Sequence, residues 1–325
     1  MVSKSFNFCT ITLLGVFLIL GCGEERAKIP VDSLNQSSQL SREAEKETRQ
    51  FEDGSTYEGE LALGVPNGFG TKTFLNGNVY QGQFVKGLSH GHGIMRYKSI
   101  SEMDRYFGNW SNGMRKGFGT LVMSDGSTFV GHWEKDGLSH GEFSSVDGSK
   151  YFGRWQGNFL SEGVFISKSG DRFTGQFDDS GNYLSGTLEQ AEKGFFHGSF
   201  EDGKFHGNGV FEGMDGSVYT GQFNLGKKEG WGMVKEMDDT IYKGEFSEGM
   251  PHGNGVQEDP SGVRYSGSWK EGAKHGMGVL DFGDGTFFSG EFANGLAFDG
   301  QYDWGDGRVT NSYQDEDGNW LDFED

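Results

Sequence analysis

Cysteine is almost missing from this chain: there are two, Cys9 and Cys22, both near the N-terminus. No disulfide can staple the residues that follow, and zinc sites of the CxxC type are excluded. Proline is scarce as well, at 4 residues, and 28 Lys and Arg face 48 Asp and Glu. The resulting formal charge of −20 argues against nucleic acid as a partner, because phosphate backbones are held by Lys and Arg. It also disfavours broad binding to anionic lipid surfaces, and keeps exposed faces from associating. Long apolar runs are lacking too. Ile11–Leu20 (ITLLGVFLIL) is a run of ten, short for a bilayer span but of the length of a signal-peptide core.

What the chain has instead is glycine and rings: 57 Gly, 29 Phe, 11 Tyr and 7 Trp. Glycine-rich disorder is poor in aromatics, so a low-complexity reading fails. Both together indicate many short strands joined by tight turns.

The apolar run follows Lys4 and ends in Ile19-Leu20-Gly21-Cys22. That string resembles the lipobox of bacterial lipoproteins, with Ile19 and Leu20 departing mildly from its commonest residues. The resemblance implies cleavage before Cys22 and acyl chains on that residue, which would hold the protein at a membrane. Gly23 in place of Asp favours the outer membrane, on its periplasmic or surface side. Residues 1–21 hold no charged side chain but Lys4, so the mature chain would carry −21. Residues 22–50 contain no aromatic residue and read as a polar tether; a frayed helix from Ser33 to Gln50 would have no apolar face to pack.

A repeat fills the rest. Aromatic residues recur in one phase at Tyr57, Tyr80, Tyr106, Phe129, Tyr151, Phe173, Phe196, Tyr219, Tyr242, Tyr265 and Phe288, in steps of 22 or 23 apart from one of 26. Two residues after each stands a glycine: Gly59, Gly82, Gly108 and so on through Gly221, Gly244, Gly267 and Gly290. Four residues after each stands a second ring, except at Leu61. Side chains alternate along a strand, so Tyr219, Gly221 and Phe223 share one face. The bare glycine leaves a slot where a ring can lie against backbone. A turn such as Asn224–Lys227 reverses the chain, a G-x-G strand returns, and Asp-Gly pairs such as Asp125-Gly126, Asp147-Gly148, Asp215-Gly216 and Asp284-Gly285 suit the turn into the next unit.

These residues resemble the MORN (membrane occupation and recognition nexus) repeat, roughly YxGxxxxGxxxGxG, over about residues 55–310. The resemblance implies an all-β fold: an elongated single-sheet ribbon of antiparallel hairpins, with eleven repeats and about 22 strands. At roughly 4.8 Å per strand it would run on the order of 100 Å. The expected divisions are a signal peptide at 1–21, a tether at 22–50, the array at 51–310 and an acidic tail at 311–325. G-x-G is intact in seven units and decays between Phe129 and Ser185 and near Asp299-Gly300, where irregularity is expected. A three-residue insertion at 98–105 should lengthen one loop. In the tail, Trp320 or Phe323 is placed to cover the last strand edge.

Chemistry is sparse. His90, His140, His206, His252 and His275 each precede a glycine at one point of the repeat. Equivalent residues lie two strands apart, about 10 Å, too far to share a metal. His90 and His92 could pair locally, but the motif supplies no third ligand. Single aspartates spaced by a repeat do not make a calcium cage. No P-loop, GxSxG or HExxH stands in a fitting context. No catalytic residue, metal or cofactor is therefore assigned. Tyr57, Gly59, Tyr80, Gly82, Tyr219, Gly221, Tyr242, Gly244, Tyr265 and Gly267 read as structural, and Cys22 as the lipidation site. The expected function is a membrane-anchored, non-catalytic scaffold for another envelope protein. The alternative is a surface that binds lipid or glycan through the aromatic stripe.

Overall fold

The computed structural model describes residues 47–98, 102–157 and 159–322. The chain divides into two units, Met1–Ala44 and Glu45–Asp325, and the described residues belong to the second. The expected signal segment, Cys22 and most of the expected tether lie outside them.

The described residues form 25 strands and no helix. Each strand pairs antiparallel with the one before and the one after, from Glu47–Gln50 to Trp320–Asp322. Among the described residues substantial contacts run only between consecutive strands, and no second layer packs on the sheet. The array exceeds the expected bounds at both ends. Glu47–Gln50, at the end of the expected tether, pairs with Thr56–Gly59. In the expected tail, Val309–Gln314 and Trp320–Asp322 continue the meander. These flanking strands lack the ring-and-glycine signature, so the period gave no sign of them.

A single sheet with one apolar face must bury that face with its own side chains. It does so through a row of glycines. Gly59 pairs with Gly70, Gly70 with Gly82, Gly82 with Gly93, and the row runs unbroken, one glycine per strand, to Gly300. A Cβ on Gly244 would lie 2.5 Å from the Gly255 Cα and 2.6 Å from the Tyr242 hydroxyl. The leading ring therefore lies flat across two glycines of adjacent strands, its own and the next. In every unit led by a tyrosine except that of Tyr151 its hydroxyl donates to the carbonyl three residues on, as from Tyr219 to Gln222 (2.9 Å), Tyr242 to Glu245 (2.9 Å) and Tyr265 to Ser268 (2.9 Å).

Outside the centre the second ring of a unit stands on edge between two leading rings. Phe84 meets Tyr57 at 5.1 Å and Tyr80 at 5.0 Å; Phe246 meets Tyr219 and Tyr242, both at 5.1 Å. This edge-to-face geometry suits the ring quadrupole, and it links successive units on both sides of the centre.

The first glycine of G-x-G does a different job. In the seven intact units it sits at a β-bulge with φ between +59° and +105°, a region that side chains avoid. Two residues, such as Gly253 and Asn254, are extra there relative to the facing strand. In the units led by Phe129 and Tyr151 a single residue is extra, Ser139 or Ser161. Losing the glycine removes one bulge residue, and that is why these two steps measure 22. The centre, expected to be irregular, keeps its pairing and its glycine row. What changes is ring position. The three atoms nearest a Cβ on Gly131, Gly141, Gly153 or Gly163 would all be backbone, while Phe129 stacks on Phe143 (4.3 Å) and Tyr151 lies tilted against Phe165 (4.6 Å). The insertion falls in the connection between Arg96 and Met103, of which 99–101 lie outside the described residues.

Two outcomes are expected. Gly244→Val should destabilise the array by about 1–3 kcal/mol or more, since the neighbour in the way is backbone. Gly137→Ala, whose Cβ would meet nothing closer than the Glu134 carbonyl at 3.6 Å, should be near neutral; urea denaturation of both variants checks this. Burial raises the hydroxyl pKa of Tyr219, Tyr242 and Tyr265 to about 12. A folded value above the unfolded value of about 10 means stability is intact below pH 10 and lost as pH rises through 12. Absorbance at 295 nm should show these tyrosines ionising together with loss of strand signal, not before it.

Candidate interaction surface

The two faces of the sheet differ in what they leave for a partner. On the ring face the leading ring, where it is buried, is roofed by a residue from the returning strand; the position comes nine residues later in ten units and ten in the unit of Phe173: Pro66, Ser89, Arg115, Leu138, Leu160, Tyr183, Phe205, Lys228, Pro251, Lys274 and Ala297. Each stands opposite the second aromatic of its unit, or Leu61 in the first, in the strand register. Phe205 stacks on Phe196 at 3.8 Å and Tyr183 on Phe173 at 4.0 Å. Lys228 places its Nζ 5.0 Å from the Tyr219 ring, Lys274 5.2 Å from Tyr265, and the Arg115 guanidinium lies 4.5 Å from Trp133. A cation over a ring face is attracted by its quadrupole. Burial pulls both lysine pKa values down, opposed by Glu236 and Asp215 near Lys228 and by Asp259 near Lys274.

The signature tyrosines Tyr57, Tyr80, Tyr219, Tyr242 and Tyr265 are accordingly at most 3% exposed. With Gly59, Gly82, Gly221, Gly244 and Gly267 in the same strands, they lie within the ring layer, out of a partner's reach. In the centre a run of half-buried rings, Phe129, Phe143, Tyr151, Phe165 and Tyr183, follows across the strands, and there alone the leading rings, Phe129 and Tyr151, are among them.

The opposite face is open. There the middle residue of G-x-G points outward: Phe69 (59% exposed), Phe118 (55%), Trp231 (63%) and Met277 (67%) in four of the seven intact units, with His92, Asn208 and Asn254 in the others. Two residues further on, Ile94, Val210, Met233, Val256 and Val279 share that face. Sequence reading fixed on the invariant glycines and passed over the residue between them. The available signal was the alternation itself, which puts that residue on the face opposite the rings.

The other motifs serve the turns. In each Asp-Gly turn a carboxylate oxygen accepts the backbone N–H two residues on, for example Asp125 from Ser127 (2.8 Å), Asp147 from Ser149 (2.8 Å) and Asp284 from Thr286 (2.9 Å). The Ser149 N–H for Asp147, and the Thr286 hydroxyl and then its N–H for Asp284, draw these carboxyl pKa values below the usual one. The glycine that follows takes a left-handed φ, +95° at Gly126 and +97° at Gly148. The histidines stay apart. His206 meets Glu201 at 3.0 Å, and the carbonyl of His90 accepts from Tyr80 at 3.2 Å. Among the described residues no three of His, Cys, Asp or Glu converge as a metal site would require.

No curated relative matches the chain. Among solved structures, the TCP10 domain of Danio rerio CPAP is 13% identical over 86% of this chain and 100% of its own, with a TM-score of 0.23. The TCP domain of Drosophila melanogaster SAS-4, solved with a proline-rich motif of Ana2, is 11% identical over 71% and 95%, with a TM-score of 0.16. TM-scores of this size do not define a common fold. The MORN repeat family model matches residues 57–79, 80–99, 106–128, 196–218, 242–264 and 265–287. The unmatched stretch from 129 to 195 holds three of the four units without a bulge glycine, and the fourth, led by Phe288, is unmatched as well. The chain thus carries six MORN repeats by sequence, set in one continuous open sheet of antiparallel hairpins.

Proposed function

We propose that this protein is a non-catalytic scaffold of the bacterial cell envelope, anchored by acyl chains on Cys22, that recruits another protein along the open face of its sheet. The observation that carries the reading is the division of labour between faces. The ring face is roofed by its own side chains, while the other repeatedly presents one exposed position per repeat, apolar at Phe69, Phe118, Trp231 and Met277. Regular spacing of exposed apolar groups on a rigid sheet suits a partner that contacts several units at once, as other repeat proteins do. The anchor rests on the string Ile19-Leu20-Gly21-Cys22 and its resemblance to a lipobox. Outer-membrane placement rests on Gly23.

A second reading, lipid or glycan binding through the aromatic stripe, is favoured by one observation only. The leading rings Phe129 and Tyr151 and their neighbours Phe143, Phe165 and Tyr183 are only partly buried, whereas the other leading rings are covered.

Metabolic labelling with an acyl precursor should tag the wild type, and Cys22→Ser should abolish the tag and release protein from membranes. Labelling that persists in that variant would remove the anchor from the proposal. Crosslinking in cells followed by pull-down identifies the partner, and a set of variants then tests the surface. Deleting the unit Tyr242–Arg264 keeps the register of the rest, so the array should fold and partner binding should weaken without vanishing. Phe118→Ser and Met277→Ser should each weaken it by about tenfold with no change in melting temperature. Loss confined to a single unit, with the others neutral, would overturn a distributed surface.

A further inference from the structure

The five motif histidines stay apart from one another, but His132 is not one of them. It stands in the strand Thr128–Glu134, three residues after the leading ring Phe129, and the returning strand is Gly137–Ser144. In an intact unit the residue three after the leading ring faces the one that precedes the bulge glycine, as Gln83 faces His90 and Glu245 faces His252. The unit of Phe129 has no bulge glycine and only Ser139 is extra, so His140 arrives directly opposite His132. Among the described residues no other two histidines are opposed in the register. Both are exposed, on the face away from the rings.

Opposed residues have Cβ atoms about 5 Å apart, and the next two units show that side chains at this pair of positions meet. Arg154, opposite Glu162, comes within 3.9 Å of it. Ser185, opposite Gln176, donates its hydroxyl to the Gln176 side-chain carbonyl at 3.3 Å. His132 and His140 occupy the same two places. Nδ1 of His140 lies 3.4 Å from the Ser139 hydroxyl oxygen, which leaves Nε2 to reach outward. On the far side of His132 the Phe118 ring packs edge-on at 5.8 Å. Arg154 faces His140 from the other flank and pairs with Glu162 instead. Glu134 and Glu142 stand two residues along their strands on the same face, and Glu142 is held by the Ser144 hydroxyl (2.6 Å) and Lys150 (3.7 Å).

We propose that His132 and His140 chelate a divalent zinc or copper ion through their Nε2 atoms. Metal–imidazole bonds of about 2.0–2.1 Å fit one ion between two rings whose Cβ atoms are about 5 Å apart. Imidazole selects zinc and copper over magnesium and calcium, which take oxygen. A resident metal would need three or more converging ligands, and no such group exists among the described residues. Two imidazoles make an exchangeable site, with its other positions left to water or to a donor from outside. Those positions open beside Phe118, 55% exposed, so a molecule docked there meets the ion as well as the ring. The assignment is independent of the protein partner proposed above.

The test is calorimetric titration of the untagged full-length protein in detergent with Zn²⁺, in excess Mg²⁺ so that surface carboxylates are already occupied. One saturable equivalent is expected, with Cu²⁺ bound more tightly than Zn²⁺. His132→Gln and His140→Gln should each weaken it by about tenfold or more. His252→Gln, whose neighbour in the register is Glu245, should bind normally. Electron paramagnetic resonance of the Cu²⁺ form should show coupling to two imidazole nitrogens, and to one in either single variant. Gln176→His/Ser185→His, which sets the same pair at the same positions two units later, should add a second equivalent. Unchanged melting temperatures without metal show that the variants fold. Absence of a saturable equivalent, an undiminished one in the His132→Gln/His140→Gln double variant, or an equal loss in His252→Gln would overturn the site. A stoichiometry that stays at one in Gln176→His/Ser185→His would overturn the geometry on which it rests. None of these outcomes bears on Cys22 or on the protein partner, so the proposals fail separately.

Discussion

A methyl group at almost any position of the row from Gly59 to Gly300 would have to share space with a ring or with the neighbouring strand. Sheets normally bury an apolar face against a second layer, and among the described residues this sheet has none. Removing the side chain beneath each leading ring lets the ring lie down on backbone, and the space above is shallow enough for one roofing residue to close it. The edge-on second rings then fill the gaps between flat ones. Burial, strand register and contact between neighbouring units all follow from that one omission.

The same constraint explains why sequence periods read so clearly. Ring, glycine and second ring occupy alternate positions of one strand, so the pattern has to be written in specific residue types, and the hairpins follow from it. The roofing residues are different. Lys228, Pro251, Phe205 and Ala297 do equivalent work by covering a ring, and covering can be done by a cation, a proline, another ring or a small side chain. No residue-type pattern marks them; the offset of nine from the leading ring does, and it emerges only when the register is known. Trp231 and Met277 escaped notice for a related reason, since an exposed position has no packing requirement to make it regular.

Small irregularities of period also become physical statements. A step of 22 is a bulge with one extra residue where its neighbours have two. The unit of Phe173 keeps a step of 23 although its bulge is narrow, with Leu184 alone extra. Its roofing residue, Tyr183, comes ten positions on because the preceding turn, 178–182, is one residue longer. Length lost at the bulge is regained at the turn. The central units therefore depart from the repeat signature without breaking the sheet, and the signature's first glycine proves less essential than its others.

How the array ends follows from what each ring covers. A leading ring lies over its own glycine and that of the next strand, never the one before. Glu47, opposite Gly59, sits outside the span of Tyr57 and is free to carry a side chain. At the other end Thr310 stands where a ring would be, 22 residues after Phe288. Ser312 then replaces glycine in the row, and its hydroxyl donates to Asp322 at 2.7 Å. With no ring to lie on them, Ser312 and Asp322 pair as polar neighbours. Trp320 closes the apolar layer from the last strand, 5.0 Å from Phe288 and 4.9 Å from Tyr302. Ring and glycine are thus given up together, which ends the row without leaving an open slot at either edge.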